Sequence, residues 1–376
     1  MHTLQPVLKR GRCHWDKINL PEIEFLERVS RLKKIMAEHN INALLLYGNG
    51  VSNYGYQCYV SNFIPESVGG VLVIIPAAGD VSLIFEGVAR SLPTVKSLTW
   101  IKDIRATDNI ARGCVEYLES IYPATSTLGI VGLQQLMPFA QWHYFIEHSK
   151  KYTVKDANTI LRNLIAVKSS RETDQIRRAS RIIRRALDNL SGIKYPEINE
   201  RLIEAEAEKF CYAERAEDVR VLFAYPEGDA QYFKPAETRP FSGSMSTSVY
   251  LAAAFETYWA EGIRTYKIRT PYIVSQENPE AFRTVLNYMK NGVPISSFFR
   301  KTTDALLKSG SSLYMYPGNS IGLGLQESPF IQKDEKTRLK TGMCFTVRVV
   351  TFDNKIGKTV TGNTIILTKN GPEIIT

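Results

Sequence analysis

Between Glu22 and His39 the apolar residues Ile23, Leu26, Val29, Leu32, Ile35 and Met36 recur at helical spacing, and an unbroken apolar run, Ala43 to Tyr47, follows. The first pattern predicts an amphipathic helix, the second a buried strand. Val71–Ile75 and Val81–Phe85 are a further pair of strand candidates, joined by the turn-rich Pro76–Asp80. Helices over about 108–120 and 134–148, with a short strand at 127–131, complete an alternation that points to an α/β layer with helices on its faces.

The second half is patterned differently. A helical stretch from Asn158 to Leu190, broken near Ser169-Ser170, leads to a helix from Glu197 to Ala213. Strand-like runs come next at 219–224, 246–253 and 257–266, then helices at 279–291 and 297–309, then strands at 343–351 and 363–367. Helices and strands in separate blocks suggest an α+β domain. The boundary is placed at 155/156.

Composition changes this picture little. At 376 residues, with 44% hydrophobic and 23% charged positions, two folded domains are expected. Lys and Arg number 47 against 38 Asp and Glu, a formal net charge of +9. The densest basic stretch, Arg171 to Arg185, has Arg177, Arg178, Arg181, Arg184 and Arg185 opposite Ile176, Ala179, Ile183 and Leu187. That is the solvated side of an amphipathic helix, and with no stacking motif beside it a nucleic-acid partner is disfavoured. The five cysteines are scattered without paired spacing, so neither a disulfide framework nor a zinc knot is indicated. Cys344 and Cys211 read as packing residues, His14 as structural, and Ser242–Ser248 as a loop entering a strand. No signal-peptide pattern or bilayer-length apolar run occurs, and a cytoplasmic home is expected.

Several strings carry a family resemblance. Arg12–Asp16, the helix with Glu24, Phe25 and Arg28, Ala43–Gly48 and Tyr59–Phe63 resemble the first domain of creatinase and Xaa-Pro peptidase relatives. Leu164–Ala179, with Lys168, Ser169 and Glu172, resembles the helix that opens their catalytic domain. Gly318–Pro329 and Gly342–Val347 resemble the strings around that family's histidine and glutamate metal ligands. The resemblance implies an α/β creatinase-like N-terminal domain (1–155), an α+β C-terminal pita-bread domain (156–376) and a homodimer.

It also implies two divalent metals held by two Asp, one His and two Glu. Those positions fall here on Tyr250, Glu261, Asn319, Arg348 and the neighbourhood of Gly362, while two accessory histidines fall on Phe233 and Gln326. Only Glu261 remains acidic, and a guanidinium neither coordinates a metal nor tolerates one close by. No metal and no cofactor are expected on this reading. A shifted alignment, with Asp353 or Asp334 as substitute ligands, is the weaker alternative.

The expectation is therefore a metal-independent enzyme acting on a small, amino-acid-derived carboxylate by C–N hydrolysis, elimination or cyclisation. Glu261 and Tyr250 would move protons, and Arg348 and Arg264 would anchor the anion. Asn319, Gln326, Glu327, Tyr258, Tyr232 and Phe233 would line the pocket. Alternatively, Arg348 pairs with Glu261 or Glu327 in place of the lost metal charge, and the chain is an inactive module that binds a protein or peptide.

Overall fold

The computed structural model describes residues 15–376 apart from 52, 66–68, 195, 226–231, 239, 242–243, 270, 277–278 and 354–356, and excluding the side chains of 244, 279, 281 and 353. Arg12–His14, the first part of Ser242–Ser248 and the Asp353 side chain thus lie outside the described residues. Two compact units part between Ile165 and Ala166.

In the first unit, strands β1 (Ala43–Asn49), β2 (Gly70–Pro76), β3 (Ser82–Glu86), β4 (Asp103–Thr107), β5 (Thr127–Val131) and β6 (Thr153–Asp156) form one sheet in the order β4-β3-β2-β1-β5-β6. β1 runs antiparallel to β2 and parallel to β5. All of β1 and β2 is buried, which is why both read as continuous apolar runs rather than alternations. Helix Glu22–Glu38 buries Val29, Leu32 and Met36 of the predicted stripe together with Phe25, while Ile23 and Leu26 are exposed.

The second unit is built on nine strands: β7 (Asp218–Ala224), β8 (Ser244–Phe255), β9 (Tyr258–Arg269), β10 (Tyr272–Gln276), β11 (Ser312–Ser320), β12 (Glu327–Phe330), β13 (Cys344–Asp353), β14 (Gly357–Thr368) and β15 (Gly371–Ile374). Their order is β12-β11-β13-β14-β9-β8-β7, with β10 on β9 and β15 on β14, and all pairs are antiparallel. Helix Ser170–Leu190 packs on β8 and β9. It begins where the sequence broke, because Ser169 and Glu172 form a capping box that satisfies the first-turn donors. Its Ile176, Ala179, Ile183 and Leu187 are buried, while Arg177 and Arg185 reach outward to Glu373 and Glu214. Among the described residues no helix is long and apolar enough to cross a membrane.

Two close approaches shape the sheet around the site. A Cβ on Gly318 would stand 1.9 Å from the Thr346 carbonyl oxygen, so only glycine lets β11 lie against β13 there. Beyond β11, the segment Ile321–Gln326 turns back over the sheet, its Gly322 carbonyl accepting from the Trp259 N–H at 2.7 Å.

Candidate functional site

Tyr250, Glu261, Asn319 and Arg348 come from four different strands and meet on one face of the second sheet. Arg348 donates from Nε to Glu261 Oε1 at 2.7 Å and from Nη2 to Glu261 Oε2 at 2.8 Å, a bidentate pair. Nη2 also reaches Asn319 Oδ1 at 3.4 Å, and Nη1 donates to the Tyr316 carbonyl at 3.1 Å. The Tyr250 hydroxyl donates to Glu261 Oε2 at 3.0 Å. Glu261 is fully buried and Arg348 is 7% exposed. Of the two pairings open in the sequence, Arg348 takes Glu261.

The surroundings tune these groups as burial and charge dictate. Burial pulls the Arg348 guanidinium down, but the Glu261 carboxylate beside it more than compensates and holds it above its usual value. Burial first, and the Glu261 charge second, push the Tyr250 phenol well above 10. Tyr250 is therefore a neutral phenol at physiological pH, with its hydroxyl committed to Glu261. Glu261, saturated by three donors, is likewise placed to hold Arg348 rather than to move a proton.

In front of the pair lies a cavity of about 320 Å³, lined by Arg220, Tyr232, Phe233, Tyr250, Tyr314, Tyr316, Gln326 and Arg348, with Leu222 and Leu325. The rings form a tilted wall: Phe233 lies 5.7 Å from Tyr250 and 5.8 Å from Tyr314, which is 6.5 Å from Tyr316. Of the five guanidinium N–H groups of Arg348, one on Nη1 has no partner among the described residues. Arg220, clamped to Asp218, keeps Nε–H and one Nη2–H outside its described bonds.

Other expected residues lie elsewhere. Arg264 leaves the opposite face of β9 and pairs with Asp188 of helix Ser170–Leu190. Tyr258 donates to Glu172 at 3.2 Å, behind the sheet. Glu327 faces the buried Lys168 ammonium, 2.8 Å from its Oε2, while Oε1 accepts from the Gly324 N–H at 2.7 Å. Burial lowers the affinity of Lys168 for its proton, yet the Glu327 charge outweighs this and keeps it raised. This clamp, with Asn319 Nδ2 donating to the Leu325 carbonyl at 3.1 Å, fixes the segment that carries Gln326 into the cavity. Asn319 is thus a support and not a wall. Cys344 and Cys211 are buried thiols, each pushed up to about 12 by that burial. Asp334 is exposed, and among the described residues it belongs to no group of three or more His, Cys, Asp or Glu that could hold a metal ion.

Sequence reasoning missed Arg220, Leu222, Tyr314 and Tyr316. Their signal was present as period-two alternation, Arg220 and Leu222 on β7 and Tyr314 and Tyr316 on β11.

With the geometry established, comparison with known proteins gives a consistent picture. Residues 174–369 match the model of metallopeptidase family M24. The chain is 23% identical over 375 residues to a Xaa-Pro dipeptidase of Pyrococcus horikoshii, spanning 93% of this chain and 97% of that protein. A Xaa-Pro dipeptidase of Pyrococcus furiosus is 22% identical, with the same coverage. Among solved structures, an X-Pro aminopeptidase from Thermotoga maritima superposes with a TM-score of 0.74 at 19% identity, covering 93% of this chain and 97% of that one. The fold is the pita-bread fold with its α/β N-terminal domain, as the local strings implied.

These findings overturn the functional expectation. Relatives matching nearly end to end are named for Xaa-Pro dipeptides, so neither the metal-independent enzyme on a small amino-acid-derived carboxylate nor its inactive-module alternative stands. That expectation gave five substituted positions more weight than the whole chain. The donor set does bear on the family's metals. Both oxygens of Glu261 are taken by Arg348 and Tyr250, Asn319 is an amide, and a guanidinium sits among them. Among the described residues no group of three or more His, Cys, Asp or Glu could hold a metal ion. The residues present do not fit a divalent pair, and no chemical step is derived through one.

Proposed function

The chain belongs to metallopeptidase family M24, and on that premise we propose that the cavity before Arg348 receives a short peptide of the Xaa-Pro type as substrate. One observation carries the reading: ring faces and unspent N–H donors converge in a single cavity, while the acidic group behind them is already saturated.

An Xaa-Pro unit is the complement of such a surface. Its imide nitrogen carries no proton, so the bond offers a carbonyl and a carboxylate, both acceptors, and an apolar ring. Phe233 and Tyr314 supply faces for the pyrrolidine ring. The spare Nη1–H of Arg348 and the free N–H groups of Arg220 supply charge-assisted donors for the carboxylate or the carbonyl. Gln326 can serve either polarity, and the ring faces suit the peptide's ammonium end.

Calorimetric titration with Ala-Pro and Ala-Ala tests this, with free proline assayed in the same mixtures. Ala-Pro should bind about thirtyfold tighter than Ala-Ala, since ring stacking and avoidance of an unanswered N–H each contribute about 1 kcal/mol. Equal affinities, or no saturable binding of Ala-Pro, would refute the assignment. A homodimer and a cytoplasmic location belong to the same proposal, on the strength of the family resemblance; light scattering and fractionation check them.

A further inference from the structure

The rings before Arg348 outnumber what one pyrrolidine ring can cover. Phe233 and Tyr314 serve the Xaa-Pro unit, yet Tyr232 and Tyr316 line the same cavity. Tyr314 is 4% exposed, whereas Tyr232 and Tyr316 are 60% and 66% exposed. The row of rings thus runs from the interior out to solvent, with Phe233 lying 5.8 Å from Tyr314 and Tyr314 6.5 Å from Tyr316.

Strand pairing explains how the outer ring comes to stand there. On β11, Leu313 pairs with Val349 and Gly318 with Val347, so residues 314–317 stand opposite Arg348 alone. Such a bulge bends its strand out of the ladder. Arg348 pins it, Nη1 donating to the Tyr316 carbonyl at 3.1 Å. A tyrosine on a pinned backbone gives up little conformational freedom when a ligand stacks on it.

Ring spacing and polar groups ask for the same ligand. Polyproline II advances about 3.1 Å per residue, so two residues cover roughly one step of the row. Its backbone makes no internal hydrogen bonds, and prolines bring carbonyl acceptors without N–H donors. The guanidiniums in the lining are each paired with a carboxylate, Arg348 with Glu261 and Arg220 with Asp218. What they have left is N–H groups rather than unbalanced charge, which suits neutral carbonyls. A flexible chain would have to be ordered along the rings, whereas polyproline II arrives already extended.

We propose that Tyr232 and Tyr316 form an outer subsite that selects further prolines after the Xaa-Pro unit, so that the ligand of this cavity is a proline-rich peptide in the polyproline II conformation. The inference rests on the Xaa-Pro reading and narrows its substrate class.

Three peptides titrated calorimetrically into the full chain test it: Ala-Pro, Ala-Pro-Pro-Pro and Ala-Pro-Ala-Ala. The two tetrapeptides share length and end groups, so the ratio of their affinities reads the outer prolines alone. Ala-Pro-Pro-Pro should bind about tenfold tighter than Ala-Pro-Ala-Ala, as two modest ring contacts together supply. Tyr232→Ala combined with Tyr316→Ala should abolish that preference. Tyr232→Phe combined with Tyr316→Phe should keep it, since ring faces and not hydroxyls are used. Both tyrosines are exposed, and the Tyr316 group that Arg348 meets is its backbone carbonyl, which every one of these exchanges leaves in place. Equal affinities for the two tetrapeptides, a preference that survives the double alanine exchange, or one lost in the double phenylalanine exchange would overturn the proposal. Saturable Ala-Pro binding beside equal tetrapeptides sinks this inference alone, and failure of all three peptides to bind sinks the Xaa-Pro reading with it.

Discussion

Both units bury an Arg–Glu pair, and the two are built for different ends. In the first unit Arg28 pairs with Glu24, one turn earlier on the same helix, at 3.0 Å. Its guanidinium is roofed by the rings of Phe25 and Tyr59, 5.0 and 4.6 Å away, and Nη1 is spent on the Tyr59 carbonyl. In the second unit Arg348 reaches across the sheet to Glu261, 87 residues away in the chain, and one edge of it faces a cavity. Burial and an ion pair made through two guanidinium nitrogens are common to both, so neither marks a site. What covers the guanidinium decides: aromatic carbon over Arg28 makes a cross-brace, open space before Arg348 makes a recognition surface.

Removing one partner tests the shared part most severely. Glu24→Ala and Glu261→Ala should each destabilise their own unit by about 3–5 kcal/mol, because each takes a carboxylate away from a buried guanidinium. Urea unfolding followed by tryptophan fluorescence measures this, and a loss under about 1 kcal/mol for either would contradict the burial described. Lys168→Met, which strands Glu327, should cost somewhat less, about 3 kcal/mol, as that carboxylate keeps 11% exposure. Replacing both partners separates the roles. Arg348→Met with Glu261→Leu should fold, since apolar substitutes for a buried pair are often neutral, yet lose Ala-Pro affinity by about a hundredfold. Arg28→Met with Glu24→Leu should leave that affinity untouched; if it does not, the contrast between the pairs fails.

Smaller effects sharpen the comparison. Tyr250→Phe removes one donor to Glu261 while Arg348 keeps both oxygens, so about 1.5 kcal/mol of stability should be lost in the same urea assay. Smallest is the exposed Arg177–Glu373 pair, where a hydrogen bond from Arg177 holds the Glu373 carboxyl below its ordinary value. A depressed folded-state value stabilises above the unfolded one and is lost as pH falls through it. Glu373→Gln should therefore flatten the acid limb of the stability profile below about pH 4.5, by less than about 1 kcal/mol.

Much of the fold was legible because its signals are local. The break at Ser169-Ser170 is a capping box, and the runs at Ala43 and Val71 are strands covered on both faces. The convergence of Tyr250, Glu261, Asn319 and Arg348 was legible only through the resemblance, since nothing in their spacing brings four strands together. Three placements went astray for reasons of strand geometry and loop path. Tyr258 and Arg264 lie an odd number of positions from Glu261 on β9, which puts them on its other face. Glu327 was drawn inward by Lys168, whose buried charge no pattern of hydrophobicity announces. The reaction class was least legible. Counting substituted ligands speaks of one patch of the molecule, and end-to-end kinship speaks of all of it.

The strand order β11-β13-β14-β9 carries a consequence for how the chain is made. β14, synthesised after both β9 and β13 between which it lies, is at the centre of its sheet, and Thr364 on it locks the Glu261 backbone from 103 residues away. A ribosome-bound chain that has not yet extruded β14 holds β9 with an open edge and Glu261 without its cation's strand in place. Assembly of this half is thus dominated by contacts remote in sequence, the topology that folds slowly.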